Sequence, residues 1–281
     1  MAKFSLRRII SRFTAKPPQA FSLADFWALY NEGAYQEAYA AMHDFMQKHA
    51  QSFNNGDLCL LLAHLELIAN DDVRKAQELL DKARQATHPV SSPLMDYYYN
   101  VHGYVMLRMG KYEESVHDCK KSVALDPSGP NLSMLAQALS MNGDKRAMTV
   151  WKQVLEKDPN NCFAHIGIGF EADKTGDRGK ALLMVKRAEK LASSANDLSE
   201  IARLYYELDE FQSAINAYLE ADRLGHEPKG PLHAAIAACY FGLGDNSTGR
   251  KYAEWAIEFN PENDYVKEVW QYSEELRREK D

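Results

Sequence analysis

One pattern recurs down the chain and constrains its fold more than any other: a turn, a small residue, and an apolar residue four positions later. The small residues are Ala38, Ala76, Ser115, Ala147, Ala181, Ala214 and Gly249, and their apolar followers are Met42, Leu80, Cys119, Trp151, Val185, Tyr218 and Ala253. Turn signals precede them: Gly33-Ala34, Asp71-Asp72, Gly110-Lys111, Gly143-Asp144, Gly176-Asp177, Asp209-Glu210 and Gly244-Asp245. Successive small residues are 38, 39, 32, 34, 33 and 35 positions apart. Self-similarity at such a period means a repeat array, in which each repeat is one supersecondary element that buries its apolar face only by stacking on its neighbours.

Each repeat reads as two amphipathic helices. Leu198, Ile201, Ala202 and Tyr205 stand at i, i+3, i+4 and i+7, which is one stripe of a helix. After the turn at Asp209-Glu210, Ile215, Tyr218, Ala221 and Leu224 form a second stripe. Small residues such as Ala202 and Ala214 fall where two helices approach closely, and a larger side chain there would separate them. Pro127, Pro159 and Pro261 end repeats, because proline cannot continue a helix.

These residues resemble the tetratricopeptide repeat family. The repeat from Gly230 to Asn263 carries the family's pattern as Ile236-Ala237, Tyr240, Ala256 and Pro261, and the one from Asp96 carries it as Tyr99, Gly103, Tyr112 and Pro127. The resemblance spans about residues 22–262. It implies an all-α, right-handed α-solenoid of about seven helix pairs, with repeats near 22–50, 56–88, 95–127, 130–159, 162–193, 195–228 and 230–262. Residues 263–281 are expected to form a C-terminal capping helix with Tyr265, Val269, Tyr272 and Leu276 as its apolar stripe.

The resemblance also implies that the first helix of each pair lines a concave groove. At the corresponding positions stand Tyr97, Asn100 and Tyr104, then Phe163 and Phe170, then Arg203 and Tyr206, and finally Phe241. This lining is aromatic with few charges, which suits a peptide or an amphipathic helix laid against helix faces. The lysine, asparagine and arginine cluster with which some family members grip a C-terminal carboxylate is missing.

Charge is unevenly distributed. Residues 1–20 carry Lys3, Arg7, Arg8, Arg12 and Lys16 and no acid, a charge of +5; the whole chain has 33 basic and 40 acidic residues, or −7, so the remainder sums to −12. An acidic body argues against nucleic acid as the partner, since phosphate recognition needs a basic surface. In the basic segment Leu6, Ile9, Ile10 and Phe13 are spaced as one helical stripe, flanked by Arg7, Arg8 and Arg12. Three readings of it stay open: attachment to an anionic membrane or a partner through residues 1–18, a cap on the array or an occupant of its acidic groove, and a mitochondrial transit peptide. No apolar run reaches the length of a membrane span and no secretory signal is present, so a cytoplasmic or peripheral-membrane location is expected.

Catalytic motifs are weak. Gly167-Ile168-Gly169-Phe170-Glu171-Ala172 satisfies a dinucleotide fingerprint, but it lacks the preceding strand that such a site needs. Gly244 to Gly249 is a near-miss for a phosphate loop without its Lys-Ser/Thr pair. Cys162 and His165 form a single half of a metal motif, and the four cysteines are scattered. The expectation is a non-catalytic protein–protein interaction scaffold without cofactor or metal. The alternatives are an assembly factor or chaperone tethered to a membrane by the basic N-terminal helix, and an accessory subunit of an enzyme complex.

Overall fold

A computed structural model describes residues 28–29, 32, 34–49, 52, 54–70, 72–226 and 228–278. The basic segment 1–20, with Leu6, Arg7, Arg8, Ile9, Ile10, Arg12 and Phe13, lies outside the described residues. Among the described residues the chain is all-α, with fourteen α-helices and one isolated bridge between Asn55 and His88. The helices are α1 Tyr35–Lys48, α2 Gly56–Leu65, α3 Val73–Gln85, α4 Met95–Arg108, α5 Tyr112–Leu125, α6 Gly129–Met141 and α7 Ala147–Lys157. Then follow α8 Cys162–Lys174, α9 Arg178–Glu189, α10 Ala195–Glu207, α11 Phe211–Arg223, α12 Lys229–Gly242, α13 Asn246–Phe259 and α14 Asp264–Arg278.

Local chemistry places the helix ends. Side chains of Asn55, Asp72, Asn161, Asp177 and Asp245 accept hydrogen bonds from backbone N–H groups of the first turns that follow them. Ser194 and Asp197 form a reciprocal capping box at the start of α10. The small residues of the repeat are all buried, Ala38, Ala76, Ser115, Ala147, Ala181, Ala214 and Gly249, and so are the apolar residues four positions on. Antiparallel helix pairs stacked on their neighbours define the α-solenoid class.

By contacts the chain divides into two parts, Met1–Val150 and Trp151–Asp281. In the first part, α2 is apolar on nearly every side. Leu58, Leu60, Leu61, Leu62 and Leu65 pack with Met42 and Met46 of α1, Leu79 and Leu80 of α3, and Val101 and Val105 of α4. The end of α2 widens into a π-helical turn, Glu66–Asn70, which buries the Glu66 carboxylate. Lys75 compensates it at 3.2 Å and donates to the Tyr39 hydroxyl at 2.6 Å. Between α4 and α5, Ser115 Oγ donates to the Gly103 carbonyl at 2.7 Å.

In the second part, α8 to α13 form three pairs around Ile166, Ile201, Leu204, Ile215, Tyr218 and Ile236. The glycines of the dinucleotide-like motif lie inside α8, where they serve helix packing. A Cβ at Gly167 would stand 2.3 Å from the Trp151 ring, and one at Gly169 would stand 2.4 Å from Leu204 Cδ2. Helix α14 covers the last pair, but on a different stripe from the expected one. Val266, Val269 and Ser273 are buried, against Ala234, Ala237, Ala253 and Ala256, whereas Tyr265 and Tyr272 are 42% and 48% exposed. The reason is steric: four alanines make a shallow seat that admits valine and serine side chains, and a tyrosine ring would lift the helix off it.

Candidate binding groove

The groove residues of the first part are largely committed to structure. Tyr97 is 4% exposed, sits in the core cluster and contacts the His64 ring at 5.5 Å. Its expected place in a binding groove is therefore corrected: the ring is buried and not offered to a partner. Asn100 donates to Asn131 Oδ1 at 2.9 Å, tying α4 to α6. Tyr104 is half-buried, and its hydroxyl accepts from Arg108 Nη1 at 3.1 Å.

In the second part Phe170 pairs with Arg203, and Tyr206 and Phe241 line one cleft. Phe163 is half-buried, and its ring meets that of the buried Trp151 edge-on at 5.6 Å. Phe170 on α8 is half-buried beneath the guanidinium of Arg203 on α10, 4.2 Å from the ring centroid. Glu200 holds that guanidinium at 2.6 Å, so the cation–π pair is fixed in place. Tyr206 follows one turn along α10, 37% exposed, and meets Phe211 at 5.6 Å. Phe241 on α12 meets Tyr272 on α14 at 5.4 Å.

These last residues wall a cleft of about 510 Å³, lined by Tyr206, Phe211, Ala238, Phe241, Tyr265 and Tyr272 together with Glu268 and Glu275. Burial foremost, then Cys239, then the carboxylates of Glu207 and Asp209, push the Tyr206 phenol up. Burial likewise raises Tyr265, whose neighbours Tyr206, Cys239, Glu268 and Glu207 add to the shift. Both hydroxyls therefore stay protonated near neutrality and can donate to a ligand.

Phe211, Tyr265 and Tyr272 lie outside the groove positions that the repeat pattern marks. A signal for Tyr272 was present, because Tyr206, Phe241 and Tyr272 follow each other at 35 and 31 residues, so α14 continues the ladder of first helices. Phe211 opens a second helix and carries no such periodic mark.

Elsewhere, His102 Nδ1 and Asp118 Oδ2 lie 2.6 Å apart. The hydroxyls on the same face are engaged otherwise: Ser115 and Ser122 donate to the carbonyls of Gly103 and Asp96. Among the described residues no group of three or more His, Cys, Asp or Glu side chains could hold a metal ion, and no helix is long and apolar enough to cross a membrane.

The arrangement of paired helices, with glycine or aspartate turns between them and a terminal helix over the last pair, is the tetratricopeptide-repeat fold. Solved structures of that fold superpose on the chain: a tetratricopeptide repeat protein from Parabacteroides merdae has a TM-score of 0.61 at 13% identity, over 89% of this chain and 96% of that one. The APC/C hetero-tetramer Cut9–Hcn1 gives 0.64 at 14% identity, over 88% of this chain and 48% of that one. In sequence, the chain is similar to the CTR9 homolog of Arabidopsis thaliana (28% identity over 42% of this chain) and to the Hsp70-Hsp90 organizing protein of Triticum aestivum (28% identity over 56%). The matches span 12% and 28% of the length of those two proteins. No protein-family model matches the chain.

Proposed function

We propose that this protein is a non-catalytic scaffold that binds a peptide or helix of a partner protein on an aromatic face built by α8, α10, α12 and α14. The observation that carries the reading is a set of three partly exposed contact pairs on this face: Phe170 with Arg203 at 4.2 Å, Tyr206 with Phe211 at 5.6 Å, and Phe241 with Tyr272 at 5.4 Å. Rigid aromatic surface gives contact area at little entropic cost, and aromatic residues with arginine dominate the energetics of protein interfaces. The names of two similar proteins, a hetero-tetramer and an organizing protein, support an assembly role.

Phe170→Asp tests it. The variant is expected to lose specific partners in affinity capture from the native host, while its helical circular dichroism stays that of the parent. An unchanged set of captured partners overturns the reading.

A second reading, tethering to an anionic membrane, is favoured by the five cations and no acid of residues 1–20. Deletion of residues 1–18 is expected to abolish flotation with phosphatidylserine vesicles, and flotation that survives the deletion overturns it.

A further inference from the structure

We infer that the cleft between α10, α12 and α14 selects a basic amphipathic helix of a partner protein, with aliphatic residues seated on the tyrosines and Lys or Arg alongside. The inference rests on the aromatic-groove reading and adds the chemistry of the occupant.

The cleft is apolar at its floor and acidic at its rim. Phe211, Ala238, Phe241 and Val269 form the floor, and the rings of Tyr206, Tyr265 and Tyr272 stand exposed above it. Such a surface is covered by side chains at i, i+3 and i+4 of an amphipathic helix.

The sign of the rim is set by α14. Glu268, Tyr272 and Glu275 are at i, i+4 and i+7, so both carboxylates flank the tyrosine on one helical face. Glu207 adds a third acid beside Tyr206 at the end of α10. No lysine or arginine lines this cleft. Among the described residues none of these three acids forms an ion pair, although acids on nearby helices do: Glu200 with Arg203, Glu220 with Arg223, and Glu254 and Glu274 with Arg250.

Uncompensated charge around an apolar floor favours partners of opposite sign and rejects those of the same sign. Helix α14 therefore does more than cover the end of the array. Its Val266, Val269 and Ser273 face is spent on the last pair, and its Glu268, Tyr272 and Glu275 face is half of a cleft wall.

The test uses the full chain and two fluorescein-labelled synthetic 14-residue peptides. One has leucine at i, i+3, i+4 and i+7 with lysine elsewhere, and the other has glutamate in place of each lysine. Fluorescence anisotropy is expected to show the lysine peptide binding at least tenfold more tightly than the glutamate peptide. Glu268→Lys with Glu275→Lys should weaken it at least tenfold. Glu113→Lys with Glu114→Lys on α5, the same change in net charge at exposed positions, should change affinity by less than twofold.

Equal weakening by the two double variants, or equal affinity for the two peptides, overturns the inference. If charge preference is lost but Tyr206→Ala with Tyr272→Ala still abolishes binding, the aromatic groove stands and the basic partner falls. If neither peptide binds, the inference falls, and capture with Phe170→Asp reads the groove on its own.

Discussion

Asp209 shows what a single backbone position in this repeat demands. The turns between paired helices hold Gly110, Gly143, Gly176 and Gly244 at φ of 74°, 68°, 77° and 78°, and in one repeat the same place is taken by Asp209 at φ 54°. A left-handed backbone strains a residue with a Cβ, and glycine removes that strain at some cost in unfolded-state entropy. Asp209→Gly is therefore expected to stabilise the protein by about 0.5 kcal/mol, seen as a higher urea midpoint, even though it removes the exposed 3.4 Å pair with Arg178. Glycines within helices behave oppositely according to their neighbours. Gly167→Ala would drive a methyl group into the ring of Trp151, itself held by Phe163, and should cost about 1–3 kcal/mol. Gly179→Ala on α9 meets only Asp177 Oδ1 at 3.9 Å, so helix propensity decides and the change should stabilise by about 0.5 kcal/mol. Urea denaturation of the two variants side by side checks the contrast.

At the scale of elements, α14 joins stability to recognition. Its buried valines close the alanine-lined end of α12 and α13, which would otherwise present an apolar face to water. Val266→Asp buries an unpaired carboxylate in that contact and should destabilise the end by about 2–4 kcal/mol. Hydrogen exchange should then speed up in α12 and α13 and leave α4 and α5 at parental rates; uniform acceleration would count against end-capping. Periodicity made the existence of α14 legible in the sequence, along with the pairs before it, because a stripe every three or four residues is a local property. Its rotation was not legible. Tyr265, Val269, Tyr272 and Leu276 form as good a stripe as Val266, Val269 and Ser273, and the choice between them depends on the size of the alanines opposite.

At the scale of the molecule there are two expectations, the first from packing that within each part runs between helices near in sequence. Unfolding of such an array is a sum of local steps, so in calorimetry the van't Hoff enthalpy should fall below the calorimetric one. Cys59, Cys119 and Cys239 are buried and Cys162 is half-buried: burial pushes Cys59 up to about 11 and Cys119, Cys162 and Cys239 up to about 12. A thiol with so high a pKa holds almost no thiolate at pH 8. A disulfide reagent should label the native protein slowly at that pH and label all four cysteines at once in denaturant.

The sequence by itself determined the repeat, the helix pairs and the small residues at their contacts, because these follow from spacing along the chain and from side-chain size. It also marked out Phe170, Arg203, Tyr206 and Phe241, whose positions within a repeat are set by helical register. Tertiary structure alone decided which aromatic rings remain open. Tyr97 holds the same kind of register position as Phe163 and Phe170, yet it is enclosed by the leucine-rich core while those two rings are only half-buried. Whether a ring faces a partner or a neighbouring helix depends on what packs against it from elsewhere in the chain, and that is a property of the assembled fold rather than of local spacing.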